Sequence, residues 1–352
     1  MKNFILSLFI SYVVMTQSVF AAPANLTISY LTSWGISGPA EKEIIRSKAD
    51  ILMLSFGQWD ANGNIQVSDD IIAIPNNTYW INVNYLTWTH FKLGNPNKKV
   101  MIAFGGQTYE SIWSHLTTAD SRERIAQNLI SLLSQDYPVF KKVDASNQYV
   151  RVGVVQIDGI DFDFEKVARL TVEENTNLLD LAKRLRQKAA LLPDKKLLSL
   201  TSYHVGADPV SCLSAAVTQD CSYIEPSRST HHGEVLTILK GGKDIFDIFN
   251  VMAYDAGPRF KYDIAMKNYA AVIGKPSKVL LGNSINTQWG PEGNFTETHS
   301  KNIERAAWQA RNNYGGFFIW TLGSSTQGMS FAEQVNYLNA MIDASKSAVR
   351  TR

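Results

Sequence analysis

From residue 26 onward, short apolar runs alternate with longer segments in which apolar residues recur every three or four positions. Leu26–Leu31, Ile51–Phe56, Lys99–Phe104, Lys196–Tyr203, Ile245–Tyr254, Lys278–Ile285 and Gly316–Leu322 read as strands. One more run, fourth in order, is Val152–Ile157, continuing into Asp158–Glu165. Between them, Ile125, Leu129, Leu132 and Leu133 make one helical face within Ser121–Gln135. Thr171-Val-Glu-Glu174 is a capping-box pattern that opens the run through Leu178, Leu181 and Leu185. Asn302–Asn313 and Phe331–Ala344 complete the helices, the last capped by Ser330 with Glu333. Eight strand–helix units in this length predict a (β/α)8 TIM barrel, a single α/β domain with no separate insertion module. A doubly wound open sheet is the alternative, but no Gly-x-Gly-x-x-Gly follows the first strand.

The fourth run carries the chemistry. Val152–Ile157 is β-branched and apolar, which predicts a buried strand. If the strand continues, Asp161, Asp163 and Glu165 share one face, and Ile160, Phe162 and Phe164 share the other. Asp158 has the opposite parity, and Gly159 can mark a bend that re-aims it. Carboxylates roughly 5–7 Å apart on one strand face repel in a partly dry site, so at least one keeps a proton near neutral pH. Such an acid can protonate a leaving group. Glu165, nearest the strand's C-terminal end, is best placed to do so. An oxygen-only calcium or magnesium site is a second reading. A solvated acidic edge strand is a third, against which the apolar flanks argue.

Composition narrows the partners. The 352-residue chain is 45% hydrophobic and 19% charged, with a formal net charge of +2. No basic run suggests nucleic acid, and no segment beyond the N-terminus suggests a membrane partner. Lys2, the apolar stretch Phe4–Met15 and Val19-Phe-Ala21 read as a signal peptide cut after Ala21. Residues 1–21 would then be removed, leaving 22–352 as the domain of a secreted or periplasmic protein. In that compartment Cys212 and Cys221 are expected to pair. His231 and His232 occupy a loop with no evident ligand partners, so no metal site is expected.

Asp158-x-x-Asp161-x-Asp163-x-Glu165 resembles the signature of family 18 glycoside hydrolases, the chitinases and their relatives. Ala103-Phe-Gly105-Gly106 resembles the family's Ser-x-Gly-Gly, with alanine where relatives offer a hydroxyl to the inner aspartate, a contact that Tyr30 can keep. Met252-Ala-Tyr254-Asp255 resembles the Met-x-Tyr-Asp motif of the sixth strand, and Trp320 matches the tryptophan under the sugar. The resemblance implies hydrolysis of chitin or another β-1,4 N-acetylglucosamine glycan by a retaining, substrate-assisted route without cofactor. It implies Glu165 as general acid/base, Asp163, Asp161 and Tyr254 as its catalytic partners, and Asp158 as a structural member. Trp320, Asp255, Met252, Tyr30, Gly105 and Gly106 would face substrate, and Trp34, Trp59 and Trp289 are candidates to line the groove. Trp308 reads as core. Only Asn286–Ser300 follow the seventh strand, too short for a wall module, which predicts an open groove and endo-acting cleavage. The alternatives are an endo-β-N-acetylglucosaminidase on N-glycans, a chitin-binding lectin, and a subunit of a larger secreted toxin complex.

Overall fold

Eight parallel strands close into a barrel in a computed structural model that describes residues 25–36, 39–68, 71–143, 148–285, 297–323 and 328–350. In chain order the strands are β1 Leu26–Thr32, β2 Ile51–Trp59, β3 Ile65–Val67, β4 Lys99–Gly105, β5 Tyr137–Lys142 and β6 Tyr149–Val155. They continue with β7 Gly159–Asp163, β8 Leu197–Tyr203, β9 Ile248–Met252, β10 Val279–Ser284 and β11 Gly316–Leu322. The barrel runs β1–β2–β4–β7–β8–β9–β10–β11 and returns to β1, where Leu26 sits opposite Gly316. β3 adds only an antiparallel flap on β2. The helices are α1 Ala40–Glu43, α2 Val83–Gly94, α3 Ala119–Ser134, α4 Val172–Ala189, α5 Leu236–Gly242, α6 Tyr262–Ile273, α7 His299–Arg311 and α8 Phe331–Arg350. None of the described helices is long and apolar enough to cross a membrane. The proposed signal peptide, Trp289 and most of the segment after the seventh barrel strand lie outside the described residues.

The period-two pattern sorts the core into two layers. Ile160, Phe162 and Phe164 are fully buried between β7 and the helices, with Leu178, Leu181 and Leu185 of α4 in the same layer. Each contributes about 1.5–3 kcal/mol by leaving water, which anchors a strand whose other face is acidic. Inside the barrel, Tyr30, Met53, Met101, Ala103, Leu280 and Phe318 form a smaller cluster. The α4 capping box is made in full: Glu174 N–H donates to Thr171 Oγ1 (3.0 Å), and Thr171 N–H donates to Glu174 Oε2 (2.8 Å).

The fourth run divides where the sequence suggested continuity. Tyr149–Val155 is not a barrel strand; it pairs antiparallel with β5 in a separate hairpin, and Val150, Val152 and Val154 are exposed. The barrel strand begins only at Gly159. A β-branched run encodes extended backbone, and which sheet it joins is settled by partners far along the chain. The barrel is therefore ornamented by two small antiparallel additions, β3 and the β5–β6 hairpin.

Asp158 lies just before β7, at the opposite end of the strand from Glu165. Its carboxylate accepts from Lys92 Nζ (2.8 Å), Lys99 Nζ (3.1 Å) and the N–H of Val100 (2.8 Å). It thus stitches α2 and β4 to the start of β7. Asp158→Asn should cost about 2–4 kcal/mol in urea unfolding, because it leaves the little-exposed Lys92 without its counter-charge. An unchanged midpoint would show that the pair contributes nothing net.

Candidate active site

β7 carries the carboxylates, and its neighbours decide how each is solvated. Asp161 is fully buried, level with Ala103 on β4 and Ser199 on β8. Ser199 Oγ donates to its Oδ1 (2.5 Å), Tyr30 OH donates to its Oδ2 (2.9 Å), and Thr201 Oγ1 lies 3.0 Å from both oxygens. Asn250 Nδ2 in turn donates to Thr201 Oγ1 (3.0 Å). Burial raises Asp161 to about 6 despite these donors. Asp163 is also buried, and its Oδ1 has no hydrogen-bond partner. Burial, then the charges of Glu165 and Asp161, push it well above the ordinary carboxylate range.

Glu165 stands just past the end of β7, half-buried. Its Oε1 accepts the N–H of Gln107 (3.0 Å), its carboxylate also accepts from the Tyr203 hydroxyl, and its backbone carbonyl accepts Trp113 Nε1 (3.0 Å). Burial lifts its carboxyl from 4.5 to about 7, against the pull of the two donors. The site thus holds a buried, well-solvated aspartate, a buried aspartate with a spare acceptor, and an accessible acid near neutrality.

The glycines are steric requirements. A side chain on Gly105, at φ 108°, would collide with the Asp163 carbonyl oxygen and the Trp113 ring. Gly106, also left-handed at φ 71°, donates its N–H to that carbonyl (3.0 Å). Ala103 offers no hydroxyl to Asp161, but Ser199, Thr201 and Tyr30 do, so the inner aspartate remains solvated.

Met252 ends β9 and is buried. Tyr254 packs edge-on to Phe318 (5.9 Å) and feels the charges of Asp163 and Glu165. Asp255 adopts φ 54°, a left-handed conformation that aspartate tolerates, and its buried Oδ1 has no partner. Burial raises its carboxyl to about 7. Trp320 stacks on Phe56 (5.5 Å) and lies near Tyr30 (5.8 Å) and Trp34 (6.4 Å), an aromatic floor beside the carboxylates. Trp59 does not line a groove. It is 1% exposed, wedged between Phe104, Trp113 and Phe162. Trp308 packs on Tyr262 and Tyr314, as its helical position suggested.

One expectation about the loop after β8 needs correction. The histidines do have carboxylate partners: His231 Nδ1 is 2.8 Å from Glu234 Oε2, and His232 Nδ1 is 2.9 Å from Asp208 Oδ2. Glu234 stands only three residues beyond His231, whereas Asp208, 24 residues before His232, reaches its ring only through the fold. Asp208, Cys212 and His232 also approach within 4.8 Å, but Cys212 is bonded to Cys221 and offers no thiolate.

The family model "Glycosyl hydrolases family 18" matches residues 26–298. The chain belongs to family 18 of the glycosyl hydrolases. Solved structures similar to this family 18 chain include a GH18 chitinase from Pseudoalteromonas aurantia, at 18% identity and TM-score 0.62, covering 91% of this chain and 100% of that one. A chitinase-like agglutinin from Robinia pseudoacacia is 15% identical with TM-score 0.60, covering 90% and 99%. A GH18 chitinase mutant from Cycas revoluta in complex with (GlcNAc)4 is 13% identical with TM-score 0.59, covering 91% and 99%. Among curated proteins none matches the chain in sequence.

Beyond the family motifs, the structure brings in Ser199, Thr201 and Tyr203 of β8, with Asn250 of β9. A signal existed: Ser199, Thr201 and Tyr203 share one parity on their strand, as the carboxylates do on β7. Because Asp161 and Glu165 bind protons more tightly folded than unfolded, the native state holds extra protons from 3.8 to about 6 through Asp161 and from 4.5 to about 7 through Glu165. These groups therefore make stability fall as pH rises through those windows and level off above them. Glu165→Gln should flatten the fall, measured as the thermal unfolding midpoint against pH. Parallel curves for the two proteins would contradict the raised acid.

Proposed function

We propose that the protein is a chitinase, cleaving β-1,4 N-acetylglucosamine linkages with retention and with Glu165 as general acid/base. The observation that carries this reading is the accessible acid near neutrality beside Asp163, whose buried Oδ1 has no partner. A buried acceptor left unpaired costs about 1–3 kcal/mol, which the N–H of a substrate acetamide would recover. Glu165 protonates the glycosidic oxygen. The acetamido carbonyl attacks the anomeric carbon, and Asp163, accepting the acetamide N–H, stabilises the positive charge that develops. The Tyr254 hydroxyl orients the same acetamide, and Trp320 takes the apolar face of the pyranose. Asp161, solvated by Ser199, Thr201 and Tyr30, shares the proton that Asp163 gives up as it turns. Glu165 then removes a proton from the incoming water. Export through the N-terminal segment would deliver the enzyme to its polymer.

Glu165→Gln should fold normally and lose several orders of magnitude in turnover of chitin oligomers, since it keeps volume and removes the proton. Asp163→Asn should be nearly as damaged. Near-normal hydrolysis by either would sink these assignments, and binding without hydrolysis by the unmutated protein would indicate a lectin. Release of N-glycans, with chitin oligomers left intact, would indicate the endo-β-N-acetylglucosaminidase.

Only 14 residues separate β10 from α7, which leaves no length for a separate domain walling the groove. This supports an open groove and endo-acting cleavage. Viscosity of a soluble chitin derivative should fall early, before much reducing sugar appears. Steady release of dimers at nearly constant viscosity would refute the endo mode.

A further inference from the structure

Glu234, on the loop between β8 and α5, is only 5% exposed, yet its Oε1 has no hydrogen-bond partner. Its Oε2 accepts the N–H of Leu170 (3.0 Å) and pairs with His231 Nδ1 (2.8 Å). Leu170 belongs to the segment that leads from Glu165 to α4, so Glu234 clamps the loop leaving β7 to the loop leaving β8. The His231 ring packs on Tyr203 at 4.7 Å, and the Tyr203 hydroxyl is bonded to Glu165. A continuous chain of contacts therefore runs from a second buried carboxylate to the accessible acid. The loop is braced behind it. Asp208 accepts from Ser222, beside Cys221, and from Asn268 of α6, while pairing with His232.

We propose that Glu234 and His231 are positioning residues for Glu165: they hold Tyr203 against its carboxyl and set, by charge, how firmly it keeps its proton. The proposal rests on Glu165 being the proton donor assigned above. A carboxylate near Glu165 disfavours its ionisation, and an imidazolium favours it. The direction of each effect on Glu165 agrees, Glu234 raising its pKa and His231 lowering it. The other titratable groups facing Glu165 are Asp163 on β7, with Asp161 deeper, Tyr203 on β8 and Tyr254 after β9; β4 is followed there by the Gln107 N–H. Lys166, next in sequence, is held by Glu174 at 2.7 Å. Around Glu234, Tyr269 of α6 is neutral, and Arg169 donates to the backbone carbonyls of Thr230 and His232. Among the described residues, His231 is the cation-forming group hydrogen-bonded to Glu234. Removing either member should thus move Glu165 in opposite senses, which a merely structural bracing role would not do.

The test is the titration of Glu165 itself, followed by carboxyl 13C resonances of glutamate-labelled protein and assigned by the peak lost in Glu165→Gln. Glu234→Gln should lower the Glu165 midpoint by about half a pH unit or more, and His231→Gln should raise it by a similar amount. The high-pH limb of kcat/KM on a soluble chitin oligomer should move with each midpoint. Unchanged midpoints in the folded variants, or shifts in the same sense, would overturn the proposal. Should Glu234→Gln not fold, the direction of the His231→Gln shift decides alone. Opposite shifts in a protein that leaves the oligomer intact would uphold the charge coupling and reject the chitinase reading instead.

Discussion

Holding three carboxylates in a row, two buried on β7 and one half-buried just past its end, is the constraint to which the rest of the structure answers. Like charges about 6 Å apart repel by roughly 3 kcal/mol at an effective dielectric of 20, before any cost of losing water. Three ionised groups in a row are therefore untenable, and the barrel distributes donors unevenly among them. Ser199, Thr201 and Tyr30 converge on Asp161, and Gln107 and Tyr203 on Glu165. Asp163, between them, keeps an unpaired oxygen. The middle group is thus the one with most to gain from a donor brought by a ligand.

That arrangement requires rigid walls. The apolar face of β7 is locked into the outer layer by Ile160, Phe162 and Phe164, so the acidic face cannot rotate towards water. The end of β4 approaches so closely that Gly105 leaves no room for a Cβ, and the Gly106 N–H ties the Asp163 backbone in place. Trp113 does the same for the Glu165 carbonyl. Ala103, facing Asp161 from β4, offers no hydroxyl, and β8 on the other side supplies two.

Loops at the same end of the barrel extend the electrostatics beyond the motif. The segment after β8 is closed by Cys212–Cys221, with Cα atoms 5.7 Å apart, and is held through Asp208. It brings His231 and Glu234 beside Tyr203 and so couples a structural brace to the environment of the acid. Loops carry this kind of tuning because they can vary without disturbing barrel closure.

Local periodicity made much of this readable in the linear chain. Alternating strand and helix patterns specified the barrel, and period-two parity put Asp161, Asp163 and Glu165 on one face and the aromatic pair on the other. The capping box at Thr171, the disulfide and the motif residues at strand ends are likewise short-range patterns. What periodicity does not encode is the partner across space. Val152 and Val154 look like part of a core strand but lie exposed on a hairpin, and Trp59 looks like a groove residue but is buried. Ser199, Thr201 and Tyr203 acquire a role only because β8 pairs with β7 in one register, and the histidine loop only because its fold brings Asp208 and Glu234 to the rings. Sequence determined which residues could share a face, since that depends on neighbours two or four positions away. Tertiary structure alone decided which faces meet, because strand pairing and burial are set by contacts between residues tens to hundreds of positions apart.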